Sequence, residues 1–445
     1  MANKLIEQQR FMCAIGAIQT VVAIPKAVPL LHSGPGCGTM VQGFFERSTG
    51  YAGGSTSPCT NFTESEVVFG GEDKLRKILS NTYKVLDTQL QVILTGCTSA
   101  IVGDDVNSVA RQFGEEGKPV VYVETAGFKY TNYQAHSLVV NAIIDQFVNK
   151  VYDKAAAKDA NLVNIFASIP YQDPFWKGNL EEIKRLLEGI GLKVNILFGP
   201  NSNGVSEWKT IPQAGFNVLI SPWYGTEIVE NLKAKYNQPF YQFPYIPIGG
   251  NETTKFLREL IDYANKNGAK LNKEKADAFI ALQEQDFYEE IDNLATFLLE
   301  FRYGLPNFFH VLSDSAYVLG ISKFLLNEVG IVPKEQFIME QTPEQYQQKI
   351  LDIAKTISNK REIPVFFEPD GGLAQETIRK AVYPGRGLII GGAWDKELAK
   401  EKDYDFLSAG LPSTYRLILT TPYFGYKGGL RLIEDIYNAV LATYK

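Results

Sequence analysis

The chain has 445 residues, 45% hydrophobic and 12% aromatic, which is enough for two or three domains with sizeable cores. A net charge of −6 argues against nucleic acid as a partner, since neutralising phosphates takes clustered Lys and Arg. No apolar run approaches the roughly 20 residues that span a bilayer, and Met1-Ala2-Asn3-Lys4 leads into Glu7-Gln8-Gln9-Arg10 in place of a signal-peptide core, so the expected location is the cytoplasm, away from membranes.

In chain order, Cys13 precedes a run of small residues, and Ala27 to Leu31 reads as a strand entering His32-Ser33-Gly34-Pro35-Gly36-Cys37-Gly38. The glycines around Cys37 predict a turn whose backbone can approach a bulky inorganic ligand and offer it N–H groups. A loop rich in Gly, Ser and Thr from Thr49 to Thr60 holds Cys59. Thr63-Glu64-Ser65-Glu66 leads to Val67-Val68-Phe69, then Gly70-Gly71 and a helix from about Asp73 with Leu75, Ile78, Leu79 and Leu86 as its apolar stripe. Gln91 to Leu94 reads as a buried strand, ended by Thr95-Gly96 with Cys97 at its C-terminal edge, where open α/β sheets bind ligands. A helix capped around Asp104 and a strand from Pro119 to Glu124 follow.

The alternation restarts with a strand from Leu162 to Ala167, a helix stopped by Gly191, strands from Val194 to Phe198 and Phe216 to Ile220, and a helix from Thr226 to Tyr236. Asn272 is placed to cap one long helix reaching about Tyr303. A third stretch has strands at Asn307 to Leu312, Gln336 to Glu340 and Pro364 to Glu368, a helix from Ser315 to Glu328, a last clear parallel strand at Leu388 to Ile390, and a closing helix from about Gly428. The predicted fold class is α/β, with three Rossmann-like doubly wound domains: 1–160, 161–270, and 271–445 with the linking and C-terminal helices.

Taken alone, a cysteine in a glycine turn is more often a small packed hydrophobe than a ligand. Three of them at turns or strand ends of one domain favour metal or redox chemistry, and all four cysteines lie in the first quarter, where a disulfide framework for so large a chain is hardly needed. The separations, 24 residues from Cys13 to Cys37 and 60 from Cys37 to Cys97, match neither paired zinc motifs nor ferredoxin runs. Gly34-Pro35-Gly36 and Gly391-Gly392 fit neither phosphate-binding pattern. Only His32, His136 and His310 are present, which argues against a His-based hydrolytic or zinc site, and His310 is expected to be a satisfied, partly buried imidazole. Ser33 and Ser221 have no neighbouring base in sequence.

The motifs His32 to Cys37, Thr63-Glu64 to Val67-Val68-Phe69-Gly70-Gly71, and Thr95-Gly96-Cys97 with Ile101-Val102-Gly103-Asp104-Asp105 resemble component 1 of nitrogenase and its relatives. Pro422-Tyr423-Phe424-Gly425-Tyr426-Lys427-Gly428 resembles the family's C-terminal segment. The resemblance implies that Cys13, Cys37 and Cys97 supply one subunit's ligands to an iron–sulfur cluster shared with a partner, a P-cluster ([8Fe-7S]) or a [4Fe-4S] cluster. It implies that Cys59 is non-ligating and that Phe69 lies where an ATP-hydrolysing iron protein, itself carrying [4Fe-4S], docks. Two departures point to a β-type chain outside the molybdenum enzymes. Ser221 stands where the α-type subunit has its cofactor cysteine, and no histidine follows His310. Gly127 stands where the molybdenum enzyme's β subunit has a cluster-binding serine, and the segment before Cys13 is short.

The expectation is a β-like subunit of a nitrogenase-like two-component reductase. It would relay electrons through an interface cluster to a metallocofactor in an α-like partner within an α₂β₂ heterotetramer. Alternatives are a cofactor-assembly scaffold, a true dinitrogenase β subunit, or a non-enzymatic Rossmann-like binding protein.

Overall fold

In the computed structural model, which describes residues 14–40, 57–301 and 304–443, apolar runs bounded by turn residues become strands of three separate parallel sheets. The first has the order β1 (Ala27–His32), β2 (Leu90–Thr95), β3 (Val120–Glu124). His32 lies opposite Thr95 and Thr95 opposite Glu124, so the three strands end level with one another. Every residue of β2 is buried, as expected of a parallel strand covered on both faces.

Its helices are α1 (Ala14–Val22), α2 (Glu64–Phe69), α3 (Glu72–Val85), α4 (Cys97–Val102), α5 (Val106–Glu115) and α6 (Asn132–Ile143). Leu75 and Leu79 of α3 and Val106, Val109 and Phe113 of α5 cover one face of the sheet against Leu30 and Ile93. The other face, with Leu31, Val92 and Leu94, joins the main core together with α1 and α6.

The second sheet runs β5 (Lys193–Asn195), β4 (Asp159–Phe166), β6 (Ala214–Ile220), β7 (Phe240–Phe243), with helices α7 (Trp176–Gly189), α8 (Thr226–Tyr236) and α9 (Gly249–Lys266). The long α10 (Lys273–Phe301) follows, and Asn272 Oδ1 accepts the Lys275 N–H at 3.0 Å, as a cap should. The third sheet centres on β8 (Phe308–Ser313), with β9 (Val332–Pro333), β10 (Gln336–Ile338), β11 (Val365–Phe367), β12 (Gly387–Gly391) and β13 (Asp405–Ser408), all parallel. Helix α11 (Ser315–Phe324) follows β8, and α12 (Gly425–Thr443) closes the described chain.

Several expectations need correction. Gly34-Pro35-Gly36 does not form a tight turn; residues 35–40 are helical with Pro35 at the first position, where its missing N–H costs nothing, and the three glycines have ordinary negative φ. Val67 to Phe69 lies on a helix. The strand expected from Val194 to Phe198 ends at Asn195, because the Ile196 N–H is taken by Glu207 Oε1 at 2.8 Å and leaves the ladder. Leu86 lies just past α3, and β13 adds a parallel strand beyond the one expected to be last. Helices α1, α6 and α9 and strand β7 were not anticipated. The loop from Thr49 lies outside the described residues as far as 56, as does Cys13.

Candidate functional site

Cys37 and Cys97 come next to each other by topology. Each follows the C-terminal end of one of two adjacent parallel strands, Cys37 five residues after β1 and Cys97 at the first position of α4, two residues after β2. The junction between them is tight. The Gly96 N–H donates to His32 O at 3.0 Å, and a Cβ on Gly96 would stand 2.2 Å from Ser33 Oγ, so only glycine fits there. The same Ser33 hydroxyl donates toward Cys37 Sγ at 3.5 Å. Both thiols are half-buried. The third sheet-end position is taken by Thr125, whose hydroxyl is committed to Thr95 O at 2.9 Å, with Gly127 two residues further on.

Cys59 is also near. Residues 58–60 pair with the edge of β1 through a parallel bridge at Leu31, with Leu31 N–H to Pro58 O at 2.8 Å and Thr60 N–H to Leu31 O at 2.9 Å. The Cys59 thiol lies 3.5 Å from Ser33 O and 3.6 Å from Gly34 O, and burial pushes its pKa up. From there it can donate to either carbonyl, while the Asn61 N–H donates to its sulfur at 3.4 Å, beside the chain leading to Cys37.

One carboxylate ties these loops to an exposed surface. Asp104 Oδ2 pairs with His32 Nε2 at 2.9 Å, both side chains nearly inaccessible, while Asp104 Oδ1 accepts the Gly71 N–H at 2.9 Å. The expected helix cap is instead Asp105, whose Oδ1 accepts the Ser108 N–H at 2.9 Å. Burial lowers the His32 pKa, with Asp104 opposing. Two residues before Gly71, Phe69 is 86% exposed, and Val67, Val68 and Ile101 are exposed beside it. Helix α2 buries none of its residues. It is held by Glu66, which accepts from the Thr63 hydroxyl and N–H and pairs with Lys74, holding its carboxyl down to about 2.

Ser221 lies elsewhere, at the end of β6 and fully buried, its Oγ accepting the Trp223 N–H at 3.1 Å. Tyr133 of α6 packs against Trp223 and Tyr224 with centroids 5.7 and 5.5 Å apart, and Trp223 against Tyr346 at 5.9 Å, so rings from all three sheet units occupy this junction. Trp223 Nε1 donates to Glu340 Oε1 at 3.1 Å. Burial raises the pKa of Glu340, Asp314 and Asp173 there, although each accepts hydrogen bonds. His310 is also inaccessible, its Nδ1 facing Glu335 O at 3.1 Å, and burial lowers its pKa to about 4.

The family model for nitrogenase component 1 type oxidoreductases matches residues 13–441. The chain belongs to that family. This component 1 chain is 24% identical to the nitrogenase molybdenum-iron protein beta chain of Clostridium pasteurianum, over 96% of this chain and 91% of that one. It is also 24% identical to the beta chain of Methanothermobacter thermautotrophicus, over 100% and 95%. The iron-molybdenum cofactor biosynthesis protein NifE of Methanococcus maripaludis matches at 24% identity over 96% and 82%. The structure of nitrogenase Cp1 at pH 6.5 superposes with a TM-score of 0.76 over 99% of this chain and 94% of that one, at 20% identity, which establishes the shared three-sheet α/β fold.

An iron–sulfur cluster of the kind the family implies suits the donors of this component 1 chain. They are two half-buried thiols with a hydroxyl donor at one sulfur, at a sheet end whose glycine leaves no bulk between the loops. Among the described residues, no three His, Cys, Asp or Glu side chains converge to hold a metal by themselves. Also among the described residues, no helix is long and apolar enough to cross a membrane.

Proposed function

We propose that this chain is the β-like subunit of a nitrogenase-like reductase and holds half of a shared iron–sulfur cluster through Cys13, Cys37 and Cys97. The observation that carries the reading is the placement of Cys37 and Cys97 at the ends of neighbouring parallel strands, joined through Ser33 and Gly96. The bound cluster, [8Fe-7S] or [4Fe-4S], would supply a low-potential electron relay. The protein's own part is to present thiolates from a rigid sheet end and to donate a hydrogen bond from Ser33 toward the Cys37 sulfur. Such bonds stabilise a reduced, more negative centre.

Three thiolates are fewer than such a cluster needs, which calls for a partner that supplies the rest. In this proposal an α-like subunit does so within an α₂β₂ heterotetramer and carries the substrate-reducing metallocofactor, a reading supported by the aromatic rings packed around Ser221 in this chain. The exposed Val67, Val68 and Phe69 offer an apolar docking surface for an ATP-hydrolysing iron protein. The division into units 1–160, 161–270 and 271–445 is part of the same reading, as is a cytoplasmic setting.

The test is iron content after anaerobic isolation of the complex. Cys37→Ala or Cys97→Ala is expected to remove most of the iron, and Cys59→Ala to leave it nearly unchanged. Equal loss from all three variants, or an iron-free wild type, overturns the assignment. The similarity to a cofactor biosynthesis protein favours a second reading, an assembly scaffold of the same fold. Substrate turnover with an iron protein and ATP selects the reductase; release of a preformed cofactor without turnover selects the scaffold.

A further inference from the structure

Three loops of the first sheet unit meet at two side chains. The Asp104 carboxylate holds the Gly71 N–H with one oxygen and the His32 imidazole with the other, each at 2.9 Å. His32 is the last residue of β1, on the stem of the Cys37 loop, and its carbonyl accepts both the Gly96 N–H at 3.0 Å and the Ser99 hydroxyl at 2.6 Å, which fix the turn carrying Cys97. Asp104 itself follows α4, the helix that Cys97 begins. Phe62 fills the remaining gap. Its ring stands edge-on to the His32 ring at 4.8 Å, and a Cβ on Gly71 would come within 2.3 Å of it and 2.9 Å of Asp104 Oδ2. Gly70 must be glycine for a separate reason, a φ of +89°.

We infer that His32 and Asp104 are positioning residues that couple the exposed Val67-Val68-Phe69 surface to the placement of the Cys37 and Cys97 thiols. A displacement of Phe69 by a bound partner pulls on Gly70-Gly71. Gly71 has no slack against Phe62 and Asp104, so the movement passes to the His32 ring and to the end of α4, and from there to both cysteine loops at once. A purely local packing role for Asp104 would confine the effect to the α2–α3 turn. The consequence for the cluster rests on the proposed function; the coupling between surface and thiols does not.

The coupling is tested in the full chain without cluster, by mass-spectrometric alkylation rates at Cys37 and Cys97 with iodoacetamide. Gly71→Ala, 34 residues from Cys37 and 26 from Cys97 in sequence, is expected to change both rates by about threefold or more, and Asp104→Leu by about tenfold, because each loosens the loops. Asp104→Asn keeps an acceptor for Gly71 and a hydrogen-bonding partner for His32, and is expected to stay within about twofold of wild type. Val85→Ala on the exposed side of α3 serves as the control. Unchanged rates at both cysteines in Gly71→Ala overturn the proposal, as does a change at one cysteine alone or in the control to the same degree. In the iron-loaded complex, Gly71→Ala is expected to alter the electron paramagnetic resonance line shape at unchanged iron content; a spectrum superimposable on wild type counts against the coupling. An iron-free wild type would refute the functional reading while the alkylation rates still decide this one.

Discussion

His136 shows how much one enclosed side chain contributes to acid sensitivity. Its ring is held by Thr20 Oγ1 at 2.9 Å and lies beside Phe198, and burial lowers its pKa to about 3. The unfolded chain takes up a proton there below about 6.5, whereas the native state does not until about 3, so stability is lost as pH falls through that window. At pH 4.5 the loss from this residue is about 2–3 kcal/mol. His136→Gln retains a partner for Thr20 and cannot ionise, so its unfolding midpoint is expected to change less between pH 7 and 4.5 than that of wild type in parallel denaturant titrations. The positions of Cys37 and Cys97 at strand ends were legible, because Gly and Thr after an apolar run mark that edge. The role of Asp104 was not. A carboxylate before a helix reads as a cap, and its pairing with His32, 72 residues earlier, depends on tertiary structure that local patterns do not encode.

At the scale of elements, α1 and α6 explain the small residues after Cys13. A Cβ on Gly16 would stand 2.8 Å from Asn132 Cβ and 2.9 Å from its Cα, so the helices touch through bare backbone. Gly16→Ala gains helix propensity but must push α6 away, and a net destabilisation of about 1–3 kcal/mol is expected by thermal or urea unfolding. Phe69→Ala on α2 should behave oppositely, leaving stability within about 0.5 kcal/mol because the ring is 86% exposed, while weakening binding of the proposed iron-protein partner in a titration of the complex. The central strands of all three sheets were readable because parallel strands buried on both faces are continuous apolar runs, whereas the short or half-buried β7, β9 and β13 were not. Helix α2 was not, since its exposed Val67-Val68-Phe69 carries the apolar signature of a buried segment without being one. Helix α6 was hidden by its own burial: eight of its residues, including Asn132, His136 and Ser137, are inside, so no polar face alternates with an apolar one.

Across the whole molecule, one amide fastens distant parts of the chain. Asn179 of α7 donates to Asp173 Oδ2 at 3.0 Å and to the Tyr317 hydroxyl at 2.7 Å, while its Oδ1 accepts the Tyr423 and Phe424 N–H groups at 2.8 and 3.0 Å. Asn179→Ala strands these buried groups together, and an unfolding free energy lower by about 3 kcal/mol or more is expected from urea titration. The three-unit architecture was legible from the restarts of strand and helix. The joints were not, since a single Asn carries no sequence signature of what it will touch 244 residues later. The joints also bear on how the chain is made. Ala23 O receives the Gly199 N–H at 2.7 Å and Pro25 O the Val205 N–H at 3.2 Å, so the segment between α1 and β1 cannot complete its bonding until residue 205 has left the ribosome. At roughly 5–20 residues per second, synthesis from the end of the first unit near 160 to residue 205 takes on the order of two to ten seconds, during which a nascent first unit waits unfinished. During that interval the segment leading into β1, the strand that carries the Cys37 turn, has its Ala23 and Pro25 carbonyls still unpartnered, so the first unit settles fully only when the second docks against it.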